Sequence, residues 1–374
     1  MSQMRTGAPT ISDVAKAAGV GRATAARTLG GYGYVSPQMQ AKVLEAAEEL
    51  GYRTNALARS MSTGVTHTLG VIVADVGNSF FSGVLRGIAD TARVHSIDTL
   101  VISTDESREK EISAINALIN KRVDGIIIST AARTLAAAEH IVEARDQGIP
   151  VVLVDRALPG LGLDEVVIDN RAATRNAIRS LIDEGHRRIA FVWGPPSVSR
   201  PTLRRELIDA SSDNLFTEAE RLEGYLDALD DEGIAFDPSL IMTSEKTSEK
   251  AREEMLRMFQ LPAAPTAVFC TESDAVVGAL RAIREQGLRI PEDVSLIGFD
   301  DNPWAEVMNP PLSMIAQPMH ELGVQAAQRL LARIEDKATE PARITLTTEL
   351  IQRDSVSSSN PRARPPGSMP SPLG

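Results

Sequence analysis

The stretch TISDVAKAAGVGRATAARTLG, residues 10–30, decides how the amino-terminal part of this chain folds. Thr10 and Asp13 predict a helix start, because the hydroxyl can accept from the backbone N–H of Asp13 and the carboxylate favours the positive helix end. Gly19 predicts the left-handed turn that ends this helix, and a second helix is predicted from residue 22 to 29. Two helices joined by a glycine-containing turn, with arginines on the outer face of the second, are typical of a helix-turn-helix.

A third helix is predicted to begin at Ser36 and Pro37, an N-cap followed by proline at the first helical position, and to end at Gly51. Two segments, TISDVAKAAGV at residues 10–20 and YRTNALARSM at residues 52–61, resemble the DNA-binding domain of the lactose/galactose-repressor family of bacterial transcriptional regulators. The resemblance extends over roughly residues 8–355. It implies an α/β fold class: an all-α helix-turn-helix domain, then a two-subdomain core of parallel sheets flanked by helices, like that of periplasmic binding proteins.

Carried over by position, the resemblance implies that Arg22, Ala23 and Arg27 face the base edges of an operator. Arginine pairs bidentately with guanine, so Arg27 is the best candidate for specificity, whereas Ala23 can at most contact a thymine methyl group. Thr24 is expected to hold a phosphate. The family usually has serine where this chain has Gly21 and Ala26, so phosphate anchoring should depend more on backbone N–H groups.

A hinge helix is implied after the third helix, within residues 55–66. It is too short to be stable alone in water, so we expect it to order on operator DNA, beside its partner in the minor groove. The hinge residues expected to contact DNA are Asn55, Leu57, Ala58 and Met61. Met61 stands where the family usually places a leucine that wedges between base pairs, and methionine is long enough but less rigid. A plain solvated linker is the alternative interpretation.

The charge is divided unevenly along the chain, whose formal net charge is −11. Residues 1–62 contain seven Lys or Arg and four Asp or Glu, which gives +3 and leaves −14 for the remainder. A basic amino-terminal part on an acidic body suits phosphate contact at one end only. Partners are therefore expected to include double-stranded operator DNA.

Composition excludes several other classes. Hydrophobic residues make up 43% of the chain, but no window approaches the ~20 apolar residues of a membrane span. Residues 1–9 lack the apolar segment of a secretory signal, so we expect a cytoplasmic protein. Cys270 is the single cysteine, so no intrachain disulfide can form, and its apolar surroundings favour a buried, unreactive thiol. The five histidines have no metal-ligand spacing, and neither a metal nor a cofactor is expected.

From Thr68 onward, short Val- and Ile-rich strands alternate with longer helices, which predicts parallel sheets covered on both faces. The predicted strands include one at residues 240–243 and a single last strand at residues 344–350. Two such series followed by a returning tail resemble the two halves of a periplasmic sugar-binding protein. We place one subdomain at residues 67–168 plus 318–337 and the other at 169–316 plus 340–355. The remaining segments are predicted as a flexible arm at 1–9, a helix-turn-helix domain at 10–54, a hinge and linker at 55–66, a ligand-binding core at 67–355 and a disordered tail at 356–374.

Ligands of open parallel sheets bind at the carboxyl ends of the strands, and between two halves they bind in the cleft. The resemblance and this rule together point to side chains that follow predicted strands or lie at crossovers. The candidate effector-binding residues are Asn78, Phe80, Phe81, Asp155, Arg156, Arg221, Ser273, Asp300 and Gln317. Aromatic rings can stack on a sugar, and carboxylate, amide and guanidinium groups can bind its hydroxyls.

Each of these residues also has an ordinary structural interpretation. Phe80 and Phe81 could be core, Asp155 and Arg156 a salt bridge, and Asp300 a helix cap. Two departures from the family matter: Ser273 stands where many relatives carry asparagine, and the loop between residues 195 and 220 is longer than usual. That loop could be a lid over the cleft or a surface feature, and Trp304 could line the cleft or fill the core.

An enzyme is the first rival interpretation, but the chain has no His-Glu-x-x-His, Gly-x-Ser-x-Gly or P-loop motif. A solute-binding protein of the periplasmic type, without a regulatory role, is the second. The basic amino-terminal part argues against it. The sequence therefore predicts a non-enzymatic, sequence-specific DNA-binding repressor whose operator affinity is controlled by a small sugar-like effector. We expect a homodimer, with a tetramer left open, because no leucine heptad follows Leu350.

Overall fold

In this computed structural model the described residues are 9–30, 32–52, 65–192, 203–211, 216–336, 338 and 340–358. The chain divides into two compact units, Met1–His67 and Thr68–Gly374. The predicted arm, hinge helix and tail lie outside the described residues, apart from residues 9, 65–66 and 356–358. Among the described residues, no helix combines the length and apolar character needed to cross a bilayer.

The amino-terminal unit is a bundle of short helices: α1 Ile11–Ala17, α2 Arg22–Gly30 and α3 Pro37–Glu49. The predicted helix start is confirmed, because Thr10 N–H donates to Asp13 Oδ2 at 2.9 Å and Asp13 N–H donates to Thr10 Oγ1 at 3.4 Å. Gly19 has a φ of +64°, which supplies the predicted turn between α1 and α2. Ser36 occupies the N-cap of α3 without a side-chain capping bond. The buried core of this unit is small: Val14, Ala15, Ala25, Val43, Ala46 and Ala47.

The second unit is built on two sheets, as the alternation of strands and helices predicts. Its strands are β1 Thr68–Val73, β2 Asp98–Ser103, β3 Gly125–Ile128, β4 Val151–Val154, β5 Asp164–Ile168, β6 Ile189–Val192, β7 Ala267–Cys270, β8 Ser295–Phe299, β9 Ser313–Ala316, β10 Arg343–Leu346 and β11 Glu349–Ile351. The first sheet has the order β10-β5-β4-β3-β1-β2 and the second has the order β11-β9-β8-β7-β6. All neighbours are parallel except β11 and β9.

Helices cover these sheets. They are α4 Ser79–Val94, α5 Arg108–Asn120, α6 Glu139–Asp146, α7 Asn170–Asp183, α8 Arg204–Ser211, α9 Phe216–Asp231, α10 Ser248–Phe259, α11 Ser273–Glu285, α12 Pro303–Val307 and α13 Met319–Glu335. The late helix α13 crosses α4 at two glycines. A Cβ at Gly87 would overlap the carbonyl oxygen of His320, and one at Gly323 would overlap that of Val84. This close approach attaches the returning chain to the first lobe, which we define as the first sheet with its helices; the second lobe is the second sheet with its helices.

Two sequence-based predictions about strands are wrong. A single last strand at residues 344–350 was expected in the second half, but β10 pairs with β5 in the first sheet and only β11 pairs with β9 in the second. The chain crosses between the lobes at this point, so one apolar run is divided between two sheets. The predicted strand at 240–243 is reduced to one bridge between Phe191 and Ile241. Asp237 caps a short 3-10 turn, Pro238–Leu240, just before this bridge. The backbone N–H of Ile241 donates to the Pro238 carbonyl within that turn, so it is not available to a longer strand pairing with β6.

Candidate ligand cleft and DNA-binding surface

A cavity of about 310 Å³ lies in the core between the carboxyl ends of the strands of both lobes. Eight of the nine candidate effector-binding residues line it: Asn78, Phe80, Phe81, Asp155, Arg156, Arg221, Asp300 and Gln317. Residues as far apart as 78 and 317 therefore meet, as the strand-end rule predicts. The size is at the lower end of what a small ligand needs.

Asp155 and Asp300 occupy equivalent places in the two lobes. Each follows a buried strand directly, β4 or β8, and each has a left-handed backbone, with φ of +69° and +70°. Their backbone N–H groups donate to Val166 and Ile315 on the neighbouring strands, at 3.0 and 2.9 Å. A non-glycine residue held in this conformation costs free energy, and such strain concentrates at functional sites. Burial raises the pKa of both carboxyl groups.

Arg156 is held by an acid that the sequence did not single out. Its Nη1 and Nη2 atoms donate to the two carboxylate oxygens of Glu106, at 2.7 and 2.6 Å, and Nη1 also donates to the carbonyl of Thr130 at 3.1 Å. The salt bridge between Arg156 and Asp155 that the sequence allowed is long, with 3.4 Å between Nε and Oδ2. The bidentate pair with Glu106 therefore fixes the guanidinium at the cavity wall.

Arg221, on α9, and Gln317, at the crossover after β9, come from the second half of the core. Arg221 donates from Nε to Asn170 Oδ1 at 2.9 Å and from Nη1 to the carbonyl of Thr271 at 2.7 Å. Its guanidinium carbon lies 3.8 Å from the ring centroid of Phe299. Gln317 Nε2 donates to Asp300 Oδ1 at 2.5 Å. These contacts orient one cation and one amide toward the cavity.

Asn78, Phe80 and Phe81 belong to the start of α4. Asn78 is the N-cap, and its Oδ1 accepts from the backbone N–H of Phe80 at 2.9 Å. The two phenylalanine rings meet edge to face with centroids 5.1 Å apart, and each side chain is 4% exposed. They line the cavity and also belong to the hydrophobic core, so the core interpretation is confirmed and their contact with an effector stays a prediction.

Ser273 does not line the cavity. Its Oγ accepts from Asn302 Nδ2 at 2.9 Å at the start of α11. The lining residues that the sequence did not indicate are Asp75, Glu106, Arg133, Thr217, Glu218, Lys246, Glu272 and Asp274. Glu272 and Asp274 come just after β7, so the strand-end rule applied to every strand would have found them. Thr217 and Glu218 lie in the first turn of α9 and Lys246 lies two residues before α10, and no local sequence signal marks them.

Lys246 and Glu218 form an ion pair on the second lobe's side of the cavity. Burial lowers the pKa of Lys246 to about 8, against the opposing attraction of Glu272 and Glu106. Burial likewise raises the pKa of Glu272. Within the part of the chain that the structure describes, no cluster of His, Cys, Asp or Glu has the makings of a metal site.

The predicted DNA-contacting side chains of α2 lie on one surface. Arg22, Ala23 and Arg27 are exposed and Thr24 is half-buried, whereas Ala25 is fully buried. The turn after the helix passes close to Arg27: a Cβ at Gly33 would lie 3.3 Å from Arg27 Cδ. The predicted contacts Asn55, Leu57, Ala58 and Met61 lie outside the described residues.

Family models match both parts of the chain. Residues 10–55 match bacterial regulatory proteins of the lacI family, and residues 66–354 match periplasmic binding proteins and the sugar binding domain of the LacI family. Catabolite control protein A of Priestia megaterium is 33% identical over 330 residues, which are 88% of this chain and 93% of that protein.

Two solved structures extend the likeness to the fold. One is the Lac repressor dimer bound to operator and the anti-inducer ONPF, with a TM-score of 0.78 and 25% identity, over 94% of this chain and 100% of that one. The other is a complex of the transcriptional regulator CelR with cellobiose, with a TM-score of 0.66 and 29% identity, over 93% and 99%. The likeness therefore includes the amino-terminal unit as well as the core.

Proposed function

This chain belongs to the LacI family of bacterial regulatory proteins, and on that premise we propose that it represses transcription by binding one operator sequence under the control of a sugar-like effector in the cleft. The observation that carries the proposal is the meeting of Asp155, Arg156, Arg221 and Asp300 in one buried cavity, in a chain whose α2 exposes Arg22 and Arg27. A solute-binding protein without a regulatory role is contradicted by the match of residues 10–55 to regulatory proteins.

The cleft can act as a switch because a ligand inside it contacts both lobes. Asp155 and Arg156 extend from the first lobe, and Arg221 and Asp300 from the second. A ligand that bonds to all four favours the arrangement in which the lobes are closest. It changes operator affinity only by the ratio of its affinities for the two arrangements, so this differential binding is the signal.

On DNA, we propose that Arg27 reads a guanine, that Arg22 and Ala23 face neighbouring bases and that Thr24 holds a phosphate. The helix α2 is suited to this because its arginines are exposed, while the acidic residues Glu45, Glu48 and Glu49 lie on α3. Asn55, Leu57, Ala58 and Met61 are proposed as minor-groove contacts on the family resemblance. Because operator DNA lies in the cytoplasm of a bacterium, we place the protein there, in a binding role without catalysis.

A homodimer is proposed because the second lobe exposes apolar side chains. Val307 is 80% exposed, Val277 is 40% exposed and Met308 is 36% exposed. A groove of about 940 Å³, lined by Leu280, Met308 and their neighbours, opens beside them. It is larger than the cleft, but the buried charged side chains Asp155, Arg156, Arg221 and Asp300 line the cleft and not the groove, so we assign the groove to a second subunit and the cleft to the effector.

Selection of duplexes from a random library, followed by fluorescence anisotropy on the enriched sequence at fixed salt, tests this function. We expect the wild-type protein to prefer the enriched duplex by at least ~10³-fold over random DNA, as specific regulators do. Equal affinity for both duplexes would contradict the proposal. The variant Arg86→Ala should keep this preference, because Arg86 is an exposed arginine of α4 that pairs with Asp90 and is not a proposed DNA contact. It is the control for the removal of an arginine from α2.

A further inference from the structure

Two acceptors in the cleft lack a hydrogen bond. Glu218 Oε2 and Gln317 Oε1 are buried and have no partner among the described residues. Both side chains line the cavity, and they are 8% and 9% exposed. Asp300 fixes the amide of Gln317, because its carboxylate accepts from Nε2 and leaves Oε1 as the open atom. A buried acceptor without a donor costs free energy, so a ligand that donates to these atoms is favoured.

Most strong donors of the cavity, in contrast, already bond to protein acceptors; Arg156 Nε has no hydrogen bond but faces Asp155 Oδ2 at 3.4 Å. Arg156 donates to Glu106 and to the Thr130 carbonyl, Arg221 donates to Asn170 and the Thr271 carbonyl, and Lys246 is paired with Glu218. A phosphate or carboxylate needs such donors, and for these side chains it would compete with the protein acceptors that already hold them. The arrangement therefore serves a ligand that gives hydrogen bonds better than one that receives them.

Charge points the same way. Seven carboxylates line the cavity, against one lysine and three arginines, so its formal charge is −3. Burial raises the pKa of Asp155, Glu272 and Asp300, the direction expected for carboxylates in a desolvated place. A further anion would add like-charge repulsion in a desolvated place.

Resting on the proposed function, we infer that the cleft ligand is an uncharged polyhydroxy compound, such as a sugar or glycoside, and that phosphorylated or acidic forms of the same skeleton are rejected. Glu218 is the specificity-determining residue, because it neutralises Lys246 and presents Oε2 to a ligand hydroxyl. Gln317 Oε1 receives a second hydroxyl.

A panel of matched compounds tests this inference on the wild-type protein. The panel pairs glucose with glucose 6-phosphate and gluconate, ribose with ribose 5-phosphate, and cellobiose with cellobionate, first by thermal shift and then by calorimetry. We expect the tightest binder to be uncharged and its anionic partner to bind at least tenfold more weakly. An anionic compound as the tightest binder would overturn the inference, and so would a panel in which no uncharged member binds.

The variant Glu218→Gln isolates the deciding residue. It removes one negative charge and releases the ammonium of Lys246, so the preference for the uncharged member of a pair should narrow by about tenfold. Glu223→Gln is the matched control, because Glu223 lies on the same helix α9 and pairs with Arg171 outside the cavity. An unchanged preference in Glu218→Gln, or an equal change in both variants, would contradict the assignment.

Measuring operator binding without ligand separates this inference from the proposed function on which it rests. A protein that selects one duplex but prefers an anionic compound keeps its proposed function and loses only the inference. A protein without duplex preference loses the proposed function whatever it binds in the cleft. The panel on the wild type decides the inference even when Glu218→Gln does not fold.

Discussion

The amino-terminal helices and the ligand cleft achieve recognition in opposite ways. The four proposed DNA contacts of α2 fall within six consecutive positions, 22–27, and their side chains are mostly exposed over a core of six small residues. The cleft side chains come from residues 75 to 317 and are mostly buried. One short helix can therefore encode a surface contact, whereas a buried polar site requires a large fold to support each charge.

The largest expected effect concerns the hydrogen bonds of a buried carboxylate, Glu111, in the first lobe. Glu111 is fully buried and accepts from Thr130 Oγ1 at 2.8 Å, from Ala131 N–H at 2.5 Å and from His140 Nε2 at 2.6 Å. Glu111→Ala leaves these groups without a partner, so the free energy of unfolding of the core should fall by about 3–5 kcal/mol. Urea denaturation measures the loss.

The control for this prediction is Glu109→Ala, on the same helix α5. Glu109 is exposed and contacts Ser107 Oγ at 2.9 Å, so its removal should change the stability of the core by less than about 1 kcal/mol. Equal losses in the two variants would show that the buried network does not hold the cleft segment at residues 130–133.

The second prediction applies one substitution to both regions. Val43 in the amino-terminal core and Val268 in β7 are both fully buried, so Val→Ala at either should cost about 2 kcal/mol. Val43→Ala should lower operator affinity, because the amino-terminal core is small and has few other buried residues. It should leave ligand affinity unchanged, because the cleft belongs to the other unit. Val268→Ala should lower the melting temperature of the core. If both variants altered the same unfolding transition, the two units would not unfold independently.

The third prediction concerns DNA specificity. Arg27→Ala should weaken binding to the enriched operator by about 1–3 kcal/mol and relax the preference at one base pair. Ligand affinity should stay as in the wild type, because Arg27 belongs to the other unit. Anisotropy on duplexes that vary one base at a time measures both quantities. An equal loss on operator and random DNA would mean that Arg27 contacts only phosphate.

The smallest expected effect is a dependence of core stability on pH. His186 Nδ1 contacts Thr266 Oγ1 at 2.9 Å, and Nε2 contacts Ser295 Oγ and the Ser357 carbonyl at 3.0 Å. Burial lowers the pKa of His186 from its usual 6.5. The unfolded chain therefore takes up the proton first, so this stabilisation is full above pH 6.5 and is lost as pH falls through the lowered pKa.

Urea midpoints at pH 7.0 and 5.5 measure that dependence, with His186→Gln as the comparison. We expect the wild-type midpoint to drop more between these two values than the midpoint of the variant does. A variant that keeps the whole wild-type pH dependence would assign the effect to other groups.

The same contrast explains how much the sequence could predict. The helix-turn-helix depends on contacts between residues a few positions apart, such as Thr10 with Asp13, and these can be read directly. Asp155 and Asp300 could be predicted because each directly follows an apolar strand. Glu218 and Lys246 could not, because their meeting depends on how separate segments fold. The partition of β10 and β11 between two sheets was missed for the same reason, since local pattern does not encode the partner of a strand.

Occupancy of the cleft should change the affinity of the amino-terminal helices for operator DNA. The most direct test titrates the enriched operator with the wild-type protein, with and without a saturating amount of the tightest-binding uncharged sugar from the panel. We expect operator affinity to change by roughly 5- to 150-fold, and saturating operator to change sugar affinity by the same factor. Operator affinity that is identical with and without bound sugar would contradict this expectation.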